Sequence, residues 1–238
     1  MTQEISLARK IHAQAWQENE NGNFETALEI GQKALNAYLK TQDIFGIADM
    51  CCQMSLFYRT WVSVEPAKTE LKIMALGYAQ TAVDLNLTLG ENENLGRSYY
   101  TLSKCYSDLG RYQLSQESVV KAISLAEADP TSKYSHPAII LDMKTHLGCL
   151  EYLAGDESAV GRVDQFAKDI LAQSDYPQYE LAVWASGAYL NLALRIFEKT
   201  KDKTKAQFYL NQAKEIIDQN PKLSVRKKQF ENLVNLII

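Results

Sequence analysis

The chain has 238 residues, 46% of them hydrophobic and 23% charged, with 11 glycines and 5 prolines, enough apolar sequence to bury a substantial core. A net charge of −4 speaks against a general nucleic-acid or acidic-membrane binder, because such partners demand clustered Lys and Arg. The balance is uneven: residues 201–238 hold eight basic and four acidic side chains, so a basic tail follows an acidic body.

The start, MTQEISLARKIHAQ, is amphipathic and lacks the apolar stretch of a signal peptide. The uncharged run from Leu181 to Leu194 covers 14 residues, short of the roughly 20 needed to cross a bilayer. A cytoplasmic location and no membrane association are expected. Cys51, Cys52, Cys105 and Cys149 form no CxxC or CxH spacing and are expected as buried free thiols, without a metal.

Apolar residues recur at three- and four-residue steps throughout, with no sustained alternation, so every element is expected to be helical. The first helical hairpin is expected over residues 4–40, turning at Gly22 before FETALEIGQKAL. The second covers 43–89, with Pro66 placed where a helix start welcomes it. The third covers 93–128. Its first helix carries the stripe Tyr99, Leu102, Ser103, Tyr106 and Leu109, and Gly110 turns the chain into Tyr112, Val119, Ala122, Ile123 and Ala126. The fourth, 137–173, starts at SHP (135–137) and turns at Gly155. The fifth, 178–219, follows DYP (175–177) and turns near residue 200 without a glycine. A capping helix over 222–238 presents Leu223, Phe230, Leu233, Val234 and Ile237 on one side.

The corners act as a ruler. Gly22 and Gly110 lie 88 residues apart, Gly110 and Gly155 45 apart, and 88 is twice 44. Ala34, Ala79, Ala122, Ala167 and Ala213 follow at spacings of 45, 43, 45 and 46. Such a period predicts one array over residues 1–238, built of hairpins each too thin to bury its own apolar face.

These residues resemble the tetratricopeptide repeat. The third hairpin carries the pattern best, with Tyr99, Leu102-Ser103, Tyr106, Gly110, Tyr112, Ser115 and Ala122. The first keeps Ala15, Gly22, Phe24, Ala27 and Ala34, and the fourth keeps Leu147-Gly148, Gly155 and Ala167. The period of about 44 exceeds the usual ~34 and is similar to the extended arrays of bacterial regulatory proteins. The resemblance implies an all-α, right-handed superhelix of about five antiparallel hairpins with a C-terminal capping helix.

Chemistry-bearing motifs are absent from the sequence. His12, His136 and His146 fall on three different hairpins, and no HExxH, GxxxxGK[ST], GxGxxG or GxSxG occurs. An enzyme is not expected, nor a cofactor. In tetratricopeptide arrays the first helices line a concave groove. Carried onto this chain, that implies His12 and Trp16 from the first hairpin, Gln53 and Arg59 from the second, and Arg97, Tyr100 and Lys104 from the third. The fourth would add Thr145, His146 and Tyr152, and the fifth Asn191 and Arg195. This mixture of cations and aromatics suits a peptide with carboxylates or a partner helix.

The leading expectation is therefore a protein- or peptide-binding scaffold in bacterial signalling or regulation. The alternatives are the sensory domain of a multidomain signalling protein, an enzyme on a helical scaffold, and a homo-oligomer in which a basic tail meets an acidic body.

Overall fold

The computed structural model describes residues 3–90 and 93–237; Ile238, at the end of the expected capping helix, lies outside them. Eleven α-helices and no strand occur among the described residues. Contacts gather the chain into two compact units, residues 1–128 and 129–238.

The first unit holds α1 (Gln3–Glu20), α2 (Phe24–Lys40), α3 (Ile44–Val64), α4 (Leu71–Leu89), α5 (Glu93–Asp108) and α6 (Tyr112–Ala128). They pair as α1 with α2, α3 with α4 and α5 with α6. The corners form because glycine accepts a positive φ without a Cβ clash. Gly22 sits at φ 82° and Gly110 at φ 71°, and the Arg111 amide returns to the Tyr106 carbonyl at 2.8 Å, closing the end of α5. The second hairpin departs from the sequence reading. Pro66 does not open α4; it lies in an exposed turn, and the helix begins at Leu71.

The second unit holds α7 (Pro137–Leu153), α8 (Ala159–Leu171), α9 (Gln178–Thr200), α10 (Lys203–Asp218) and α11 (Ser224–Ile237). The helix start at SHP takes its expected form: Pro137 occupies the first turn, and the His136 imidazole accepts from the Ala138 amide. Pro177 stands one residue outside α9. The glycine-free fifth corner is made by Lys201 at φ 57°.

Packing follows the repeat. Ala34, Ala79, Ala122, Ala167 and Ala213 are all fully buried on their second helices. Gly148 on α7 shows how close the approach becomes, because a Cβ there would sit 2.6 Å from Val163 Cγ2 on α8. In the first unit α3 packs against both α1 and α5, whereas no comparable packing joins α2 to α4 or α4 to α6 among the described residues. First helices lie close and second helices splay apart, so this unit curves with α1, α3 and α5 on its inner side. In the second unit α9 likewise packs against α7 and α11.

Candidate partner-binding face

Seven of the implied groove residues lie on the first helices α1, α3 and α5 of the first unit. His12 on α1 is half-buried; its Nδ1 shares a hydrogen bond of 3.2 Å with the Tyr38 hydroxyl, and the rings meet edge to face. Burial raises the Tyr38 phenol above its ordinary pKa, Asp43 adds to this, and Arg9 opposes it. Trp16, one turn further on, packs half-buried against the first hairpin's core.

On α3, Gln53 is only 5% exposed. Its Oε1 accepts from Arg97 Nη2 at 2.9 Å, and Arg97 also forms an ion pair with Asp49. Arg59 donates from Nε to Asp108 Oδ2 at 2.5 Å. Burial works to lower the Arg59 pKa, but Asp108 and its neighbours hold the guanidinium above the ordinary arginine value. Lys72, on α4, adds a third strut by donating to the Asp108 carbonyl at 3.0 Å. On α5, the Lys104 ammonium lies 4.2 Å from the centre of the Tyr100 ring.

Asp49 and Asp108 are the participants that sequence reasoning passed over. The available signal was the period itself. Asp49 precedes Arg97 by 48 residues and Arg59 precedes Asp108 by 49, one repeat plus about one helical turn, which brings them face to face across adjacent first helices.

The five implied residues of the second unit are placed differently. Tyr152 has no exposed surface and belongs to that unit's core; Lys199 lies over its ring at 4.3 Å and donates to its carbonyl at 2.7 Å. Thr145 and His146 are buried on α7, and the Thr145 hydroxyl turns back to the Asp142 carbonyl at 2.8 Å. Arg195 is buried on α9, where it pairs with Glu198 at 2.7 Å and donates to half-buried Asn191 at 3.2 Å. Thr145, His146, Tyr152 and Arg195 are thus packed within their own unit.

All four thiols are free and buried. Burial pushes Cys51, Cys52 and Cys105 up to about 11 and Cys149 up to about 12, the last against a downward pull from Arg195. Among the described residues no group of three or more His, Cys, Asp and Glu side chains could hold a metal ion. No helix among them is long and apolar enough to cross a membrane.

Stacked helical hairpins with a buried alanine recurring on each second helix define a helical repeat protein. The family model for the tetratricopeptide repeat matches residues 96–129 and 186–220, in α5–α6 and α9–α10, and the chain has a tetratricopeptide-like helical repeat fold. Solved structures similar to it include putative kinesin light chain TPR-like repeats from Podosopora anserina, in the Q17M form. That likeness covers 93% of this chain and 100% of that one at 18% identity, with a TM-score of 0.55. BtubC (BKLC) from P. vanneervenii is similar over 91% of this chain and 82% of its own at 17% identity, TM-score 0.58. A Rap protein complexed with Competence and Sporulation Factor is similar over 99% of this chain and 65% of its own at 15% identity, TM-score 0.60. No protein of curated function matches the sequence.

Proposed function

We propose that the chain is a protein-interaction scaffold that holds a peptide or an extended segment of a partner against α1, α3 and α5. The observation that carries this reading is the curvature of the first unit. First helices pack on first helices more closely than second helices on second helices, and half-exposed His12, Trp16, Tyr100 and Lys104 stand on those first helices. Aromatic surface with polar groups interleaved is suited to an extended chain. The reading needs no catalytic group and no cofactor.

We place this scaffold in cytosolic bacterial regulation. The similar Rap protein carries a bound factor, and four buried free thiols fit a reducing compartment.

The test is selection from a displayed library of short peptides against the wild-type chain, against Trp16→Ala/Tyr100→Ala, and against Val120→Ala, a change at an exposed position of α6. Sequences should enrich on the wild type and on Val120→Ala and be lost on the double variant. Equal enrichment on all three, or none on the wild type, would contradict the reading.

A further inference from the structure

We infer that the inner face of the first unit selects a segment without net charge, gripped through its main-chain amides and apolar side chains, and does not select an acidic one. This rests on the binding reading above and names the chemistry of its ligand.

The first ground is charge compensation. Cations at Arg59 and Arg97 give the face its basic look in the sequence, yet each meets an acid on the adjacent first helix: Arg97 pairs with Asp49 and Arg59 with Asp108. A ligand carboxylate approaching either guanidinium would replace a carboxylate already in place and would face the repulsion of the one it displaced. Exchanging one partly buried ion pair for another gains little. Lys104 is held over the Tyr100 ring.

The second ground is Gln53. Because its Oε1 accepts from Arg97, the orientation of the carboxamide is fixed, and Nε2 is the end left over. That nitrogen is buried and has no hydrogen-bond partner in the protein, on a side chain 95% removed from solvent. A buried donor without an acceptor is costly and calls for an explanation. A neutral amide donor matches a neutral carbonyl, the group that every peptide bond supplies.

The apolar side of the face agrees. Leu56 lies 44 residues after His12 and 44 before Tyr100, and all three are half-buried. The repeat thus sets a half-buried row of His12, Leu56 and Tyr100 at equivalent positions of the three first helices.

The experiment uses capped, fluorescein-labelled pentapeptide pools of three kinds: uncharged, acidic with two Asp, and basic with two Lys. Anisotropy titrations run on the full chain at about 50 and about 500 mM NaCl, a span over which screening separates ionic from neutral contacts. The uncharged pool should bind tightest, with its Kd changing less than about twofold across the salt range. Gln53→Met should weaken that pool roughly fivefold, because it removes the orphan donor together with the acceptor for Arg97. Gln53→Glu keeps the acceptor for Arg97, loses the donor, and should weaken binding by a similar factor. Tightest binding by the acidic pool, with roughly tenfold loss at high salt, overturns the inference. So does unchanged binding by both Gln53 variants, the outcome expected if the carboxamide only holds a structural water. If a charged pool binds but Trp16→Ala/Tyr100→Ala abolishes it, the interaction face stands and the charge inference alone fails. If no pool binds, both fall.

Discussion

Ser103 on α5 and Ser115 on α6 each donate to the other's main-chain carbonyl, at 2.7 and 2.8 Å, with their hydroxyl oxygens 3.0 Å apart. Both side chains are fully buried. This reciprocal clasp ties α5 to α6 within the third hairpin, where a larger side chain would push the helices apart. Ser103→Ala should cost about 1 kcal/mol of stability, and Ser115→Ala a similar amount. The double variant should cost less than the sum, because each single change leaves a shared partner behind. Chemical denaturation of the three variants measures this; additive losses would show that the two bonds act separately.

Gly148 illustrates the same closeness on α7. Alanine is the better helix former, but its Cβ would meet Val163 Cγ2 at 2.6 Å, so Gly148→Ala should destabilise by about 1–3 kcal/mol. Adding Val163→Ala should recover part of that loss by removing the obstructing methyl groups. A double-mutant cycle followed by thermal melting checks it, and no recovery would place the strain elsewhere.

At the corners the constraint is the backbone. A Cβ at Gly110 would touch nothing within 4 Å, yet φ is +71°, so Gly110→Ala should cost about 1 kcal/mol through conformation alone. The converse applies at Lys201, a non-glycine at φ 57°, where Lys201→Gly should raise stability by about 0.5 kcal/mol. Denaturation midpoints that moved in the same direction for both would contradict this account of the turns.

The thiols give a pH prediction. Burial raises Cys51, Cys52 and Cys105 to about 11 and Cys149 to about 12, so the folded chain holds these protons more tightly than the unfolded one. The stability this lends is fully present below pH 9 and falls as pH rises from about 9 towards 12. At pH 8 all four should react with a disulfide reagent far more slowly than after unfolding. A thiol that reacts in the native protein as fast as in the denatured one would contradict their placement.

The helices and their corners were legible in the sequence because glycine and alanine leave positional marks. Gly22, Gly110 and Gly155 all take positive φ, and the spaced alanines are buried where helices cross. Pro66 misled because proline is as welcome in a turn as at a helix start, and here the turn runs on to Leu71. The face was legible only in part. A period tells which residues share a side, but whether a polar group there meets solvent or a neighbour depends on how closely adjacent first helices approach. Arg97 and Gln53 lie one repeat apart and bond to each other. Tyr152 sits near the end of α7, where Lys199 from α9 closes over it.

The central claim, that the inner side of the first unit is the interaction face, is tested most directly by amide hydrogen exchange on the full chain with and without a peptide obtained by selection. The account predicts that added protection falls on α1, α3 and α5, around residues 12–16, 53–59 and 97–104, and spares α2, α4 and α6. Protection confined to the second helices, or to residues 129–238, would contradict it.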